Sequence, residues 1–76
     1  MNFADFQAAL LLYGKANNVN VSVAKSSQDP TLLCVWVPME SLHHEPAIKA
    51  IAETYGHMTQ AIDGMHDRLY FFDLNR

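Results

Sequence analysis

The fold of this chain is decided by the stretch TLLCVWV at residues 31–37. β-Branched, aliphatic and aromatic side chains fill both alternating sets of positions, which is typical of a strand with both faces covered. Pro38 follows directly, and proline cannot donate a hydrogen bond to a ladder in the middle of a sheet. We therefore predict a central strand that Pro38 ends.

Three further strands are predicted around this one. Residues 68–74 contain the run LYFF and are again apolar on both faces. A weaker alternating segment at residues 58–63 precedes them, and the loop DGMHD has the composition of a hairpin turn. Before the central strand, three valines alternate with polar residues over 18–24, which indicates a half-buried strand. The strands thus form two hairpins.

A helix is predicted ahead of each hairpin. Apolar side chains recur every three or four positions over residues 3–17, and the helix ends either at Gly14 or at Asn17. The same spacing recurs over residues 46–55, where Pro46 suits the first helical turn. We predict one α+β domain over residues 1–76, with a four-stranded, mainly antiparallel sheet and two helices on one face in the order αββαββ.

Size and cysteine content narrow the class of protein. With 76 residues the chain forms one small core, and its only cysteine, Cys34, allows no disulfide within the chain. The longest apolar run, at residues 8–13, is far too short for a membrane span. We expect a cytoplasmic protein that does not bind membranes.

The charge of the chain bears on its partners. Eight acidic and five basic side chains give a net charge of −3, and the basic residues are scattered. Direct nucleic-acid binding is disfavoured, because it requires clustered Lys and Arg. A protein partner would best present a basic surface.

Residues suited to catalysis or to metal binding occur without a convincing pattern. Cys34 lies in an apolar strand and is expected to be an inert buried thiol. No nucleophile elbow or glycine-rich phosphate loop occurs in the sequence, so we predict neither an enzyme nor a cofactor. The four histidines could bind a metal together with Glu45 or Asp67, but their spacing favours ordinary loop histidines. They are His43, His44, His57 and His66.

The strongest feature is an excess of large aromatic side chains. Two short helices cover one face of a sheet, so strands that are apolar on both faces leave aromatic side chains for a protein interface with an acidic rim. The alternative is that helices and loops bury both faces. The predicted partner-binding residues are Trp36, Glu40, Glu45, Asp63, Asp67, Tyr70 and Phe72.

These observations lead to two hypotheses of function and a weaker third. The first is a small acidic, non-enzymatic module that blocks a basic surface of a larger host protein. Short acidic proteins that phages and mobile elements carry against host defence, anti-CRISPR proteins among them, commonly have this profile, so this expectation comes from a class and not from particular residues. The second is a homodimeric structural or accessory domain. The third is a metal-binding protein that uses the histidines.

Overall fold

A computed structural model describes residues 3–29 and 31–74 and confirms the predicted α+β class and element order. A short 3₁₀ helix precedes the second α-helix. The elements are α1 (Phe3–Asn17), β1 (Ser22–Lys25), β2 (Leu32–Pro38), the 3₁₀ helix (Met39–His44), α2 (Glu45–Ala52), β3 (His57–Asp63) and β4 (Asp67–Asp73).

The four strands form one sheet in the order β1-β2-β4-β3, and every neighbouring pair is antiparallel. The two hairpins therefore meet through their second strands, which places β2 in the centre as predicted and β4 beside it. In this central pair Val35 lies opposite Tyr70, and Trp36 lies opposite Leu69. Successive side chains of a strand point to opposite faces, so these two pairs lie on different faces of the sheet.

Both α-helices contribute to a core on one face of the sheet, which we call the helix side. Alternate residues of the two central strands, among them Val35 and Phe72, pack there against Phe6 of α1 and Ile48 of α2. The Phe6 and Phe72 rings have their centroids 5.6 Å apart. Burial of these side chains is the main favourable contribution to folding. The fully buried side chains include Phe6, Leu10, Leu33, Val35, Val37 and Phe72.

The predicted start of the first strand is wrong. Val19 and Val21 are buried, but β1 begins only at Ser22. After α1, Asn18 adopts a left-handed conformation with φ of 57°, and the Val19 amide donates to the Gly14 carbonyl oxygen at 2.8 Å. This turn uses backbone groups that a longer strand would need for its ladder, which explains why β1 is short.

The second helix also differs in its bounds from the predicted 46–55. It ends at Ala52, and the amides of Tyr55 and Gly56 both donate hydrogen bonds to the Ala52 carbonyl oxygen in the turn that follows. The segment before it, predicted as an irregular connection, is the 3₁₀ helix. Within the described residues, no helix combines the length and the apolar character that crossing a bilayer requires.

Candidate functional site

The sheet surface turned away from the two helices carries a second set of apolar side chains. We call it the open face. The pairing of the strands shows which residues lie on it. Trp36 lies opposite Ser22 of β1 and opposite Leu69 of β4, and Leu69 in turn lies opposite Ile62 of β3. The apolar residues of the open face are Ala24, Leu32, Cys34, Trp36, Ile62, Leu69 and Phe71.

The open face is packed differently from the helix side. None of its residues belongs to the core cluster formed with the helices. Trp36, Leu69 and Phe71 are half-buried, and Ile62 is 44% exposed, whereas the core side chains are almost fully buried. Cys34 is the exception, since its neighbours leave it only 7% exposed. The two central strands thus place large apolar side chains on a surface that both α-helices leave aside.

A depression of about 400 Å³ lies at one end of the open face. Two opposed pairs of the sheet register contribute to its lining, namely Ser22 with Trp36 and Pro38 with Asp67. A backbone hydrogen bond brings the 3₁₀ helix, which carries Glu40, next to His66, because the Met39 amide donates to the His66 carbonyl oxygen at 3.0 Å. The lining residues are Asn20, Ser22, Trp36, Pro38, Glu40, His66 and Asp67. Three of the predicted partner-binding residues, Trp36, Glu40 and Asp67, therefore lie in one site.

The open face carries acidic side chains and no Lys or Arg from the strands. Glu40 and Asp67 line the depression, and Asp73 follows Leu69 and Phe71 on the same face of β4. The four strands contain two Lys or Arg residues, Lys25 and Arg68, and both lie on the helix side, opposite Leu33 and Val37 respectively. An acidic rim around an apolar surface attracts a positively charged partner.

Two other predicted acidic residues have a different environment. Glu45, at the start of α2, accepts hydrogen bonds from the Tyr70 hydroxyl at 2.6 Å and from Arg68 Nη1 at 3.2 Å. Arg68 Nε also donates to Asp63 at 2.5 Å. The prediction that Glu45 and Asp63 belong to the acidic rim of the open face is wrong, because both carboxylates pair with Arg68 on the helix side, where Glu45 ties α2 to the last hairpin. Their part in binding a partner stays a prediction.

These contacts shift the pKa values of the groups involved. The hydrogen bond from Tyr70 and the nearby Arg68 lower the pKa of Glu45, although its partial burial acts in the opposite sense. The pKa of Asp63 is lowered by its hydrogen bond with Arg68. Burial, followed by the hydrogen bond to Glu45, raises the pKa of Tyr70 to about 12. The cluster is therefore stable as an ionised carboxylate with a neutral phenol near neutral pH.

The prediction that Tyr70 and Phe72 lie on an exposed interface is also wrong. They are 2% and 1% exposed, because the register turns both toward the helix side. Their neighbours Leu69 and Phe71 occupy the open face instead and were missed. The alternation of the strand separates the run LYFF into these two pairs, but periodicity alone does not say which pair faces the helices.

The residues considered for metal binding or catalysis do not converge. Tyr13 Oη and His44 Nδ1 share a hydrogen bond of 2.7 Å, and the His43 ring lies 4.3 Å from the His44 ring. Across the described part of the chain, no three His, Cys, Asp or Glu side chains are grouped so that they could hold a metal ion. Burial raises the pKa of the Cys34 thiol, which lowers its nucleophilic character near neutral pH.

Comparison with known proteins gives no information on the function of this chain. The chain matches no family model, no curated protein and no solved structure. Its function must therefore be argued from the geometry of the open face and the depression.

Proposed function

We propose that this protein is a non-enzymatic binding module that docks its open face onto a basic surface of a larger protein. The observation that supports the proposal is the division of the sheet into two apolar faces, with both helices on one of them. Trp36, Leu69 and Phe71 form a half-buried patch on the other. Large aromatic side chains of this kind supply the central contacts of protein interfaces.

The size of the molecule is compatible with such an interface. A standard protein interface buries about 800 Å² on each partner, roughly a sixth of the 4632 Å² surface of this chain. A single face of a two-layer domain can supply an area of this order. Burial of the apolar patch would also add stability to a domain whose own core is small.

The charge on the open face favours a basic partner. Glu40 and Asp67 lie at one end of the apolar patch and Asp73 lies on the same face, while the two basic residues of the strands lie on the helix side. Opposed copies of this face would bring like charges together, whereas a basic surface would complement them. A larger basic partner is therefore favoured over self-association.

The proposal is tested with two matched substitutions. Ile62→Arg places a cation on the open face, where Ile62 is 44% exposed; Leu12→Arg places the same group on α1, where Leu12 is 69% exposed. Each variant is used as bait in lysate of the native host, and captured proteins are identified by mass spectrometry. We expect Ile62→Arg to lose a partner that the wild type and Leu12→Arg both retain.

The acidic residues provide a second readout with the partner found in this way. Asp67→Lys should slow association and weaken its dependence on salt, because long-range attraction acts mainly on the association rate. Thermal unfolding of each variant shows whether its fold is retained. Identical capture by folded wild type, Ile62→Arg and Leu12→Arg would contradict docking through the open face.

Homodimerisation is the second candidate function, and the position of β3 supports it. This strand of seven residues lies at one edge of the sheet, and all of its residues except Met58 are exposed. An exposed edge can pair with the same strand of another copy, although the irregularity between Met58 and Gln60 disturbs the regular ladder. Light scattering over a range of concentrations distinguishes the two functions, because a constant monomer mass excludes the homodimer.

Inhibition of a host-defence protein, including the anti-CRISPR type, is the most specific form of the first proposal. It rests on the short, acidic chain and stays a prediction about a class of proteins. Identification of a captured partner as a nucleic-acid-handling defence protein would support it, and a partner with no such role would contradict it. The metal-binding hypothesis is tested separately by a thermal shift with added zinc.

A further inference from the structure

We propose that the depression at the end of the open face is a recognition site for an arginine side chain of the partner. The inference rests on the proposed function and makes it more specific, since it names the group that the partner inserts. The depression combines a tryptophan wall with two carboxylates, Glu40 and Asp67, and with the polar side chains of Asn20 and Ser22.

Five of the seven lining residues, all except Pro38 and His66, correspond to a property of the guanidinium group. The Trp36 ring offers a flat electron-rich face on which a planar cation can stack. The two carboxylates balance its charge, and their charge-assisted hydrogen bonds are stronger than those between neutral groups. Asn20 and Ser22 add neutral acceptors, so the site can accept several of the five N–H donors that arginine presents.

The fold fixes the backbone positions of these residues without ligand. Trp36 and Asp67 lie on the paired central strands, where their positions are set by the ladder. Glu40 lies in the 3₁₀ helix, and the hydrogen bond from the Met39 amide to the His66 carbonyl oxygen ties this helix to the loop before β4. A site on rigid elements loses little conformational entropy when it is occupied.

Arginine is favoured over two other cationic side chains. Lysine presents three donors on a compact, strongly hydrated ammonium and does not stack as a plane. Methylated lysine is recognised by a cage of several Trp, Tyr or Phe rings, whereas Trp36 is the one such ring in the lining of this depression. Multiple acceptors around a single ring suit a planar cation with many donors.

The test uses capped amino acids and the whole chain. N-acetyl-arginine amide is titrated at constant ionic strength, with the citrulline, lysine and trimethyllysine analogues as comparisons. Trp36 is the only tryptophan, so its fluorescence reports on the depression directly, and amide chemical shifts give a second readout. We expect a dissociation constant on the order of millimolar for arginine and at least about tenfold weaker binding of citrulline, which lacks the charge.

Matched variants locate the binding. Glu40→Gln and Asp67→Asn should each weaken arginine binding several-fold, while Glu53→Gln, which removes the same charge from an exposed position at the end of α2, should leave it unchanged. Equal binding of citrulline, stronger binding of lysine or trimethyllysine, or equal effects of all three variants would overturn the arginine site.

The outcome separates this inference from the proposed function. If arginine does not bind while Ile62→Arg still abolishes capture of the partner, the arginine site is refuted and docking through the open face stands. If arginine binds as expected while Ile62→Arg leaves capture unchanged, the depression is a site but the wider open face is not the interface.

Discussion

The hydrogen bond between Tyr70 and Glu45 gives the most direct test of how the helices are attached to the sheet. Tyr70→Phe removes the hydroxyl group and keeps the ring in the core, where Tyr70 is 2% exposed. The lost contact is a 2.6 Å bond to a carboxylate that Arg68 also contacts. Arg68 also interacts with the Tyr70 hydroxyl, so the variant removes the contacts of this hydroxyl with both Glu45 and Arg68.

The expected loss of stability follows from the environment of the two groups. A hydrogen bond to a charged group contributes about 1.5–3 kcal/mol to stability. The Glu45 side chain is 34% exposed, so water can replace part of the lost bond, and we expect a loss of about 1.5 kcal/mol after discounting for screening. For a domain of this size that corresponds to a decrease in Tm of roughly 6–12 °C.

The assay is urea unfolding followed by Trp36 fluorescence at neutral pH, with Glu45→Gln and the double variant completing a cycle. The double variant should lose less stability than the sum of the single losses, because both single changes remove the same bond. A difference below about 0.5 kcal/mol between Tyr70→Phe and wild type would refute the bond as a structural link, since that is the range of ordinary surface substitutions.

The pH dependence of the same pair provides an independent check. Because the pKa of Glu45 is lowered in the folded state, its contribution is present above its unfolded value and is lost as the pH falls below about 4. Tyr70→Phe removes the largest cause of that shift. The stability difference between wild type and variant should therefore shrink at acidic pH. A difference that stays constant down to pH 2 would contradict this explanation.

Three further predictions concern the core, the first turn and the alkaline limit. Phe72→Ala should cost about 3–5 kcal/mol, a large part of the roughly 4–11 kcal/mol expected for a chain of this length, and circular dichroism should show a much lower urea midpoint. Gly14→Ala should lower the free energy of unfolding in urea by about 1–3 kcal/mol, because the new Cβ would lie 2.6 Å from the Val19 carbonyl oxygen. In the same turn Asn18 has φ of 57°. Asn18→Gly should therefore be tolerated, whereas Asn18→Val should lower the free energy of unfolding by about 1–2 kcal/mol. The raised pKa of Tyr70 means that stability is lost as the pH rises from 10 toward about 12, and Tyr70→Phe should lack this component in urea midpoints measured across that range.

The sequence predicted the elements with good accuracy where local pattern is strong. α1 begins at Phe3 as predicted and ends at Asn17, one of the two predicted ends, and the stretch TLLCVWV forms a central strand. The helix is predicted by the spacing of apolar residues that are close in the chain. The central strand is predicted because a strand with apolar side chains on both faces must be buried on both faces. The start of β1 was missed, because Val19 and Val21 are buried in a turn whose valine spacing imitates a strand.

The candidate site was predicted only in part. Trp36, Glu40 and Asp67 were identified from residue type and lie together in the depression. Tyr70 and Phe72 were assigned to the wrong face, because a run of four apolar residues has no local feature that distinguishes its two faces. Glu45 and Asp63 were assigned to the rim of the open face, because their pairing with Arg68 joins residues from three separate elements and leaves no local pattern in the sequence.

By itself, the sequence determined the α+β class, the order of the elements and the presence of more apolar surface than two short helices cover. Those properties follow from periodicity and composition, which act along the chain. Only the tertiary structure decided that Leu69 and Phe71 face outward while Tyr70 and Phe72 face inward. A shift of one residue in strand register exchanges the two faces completely, and register is set by contacts between β2, β4 and the helices that no local pattern contains.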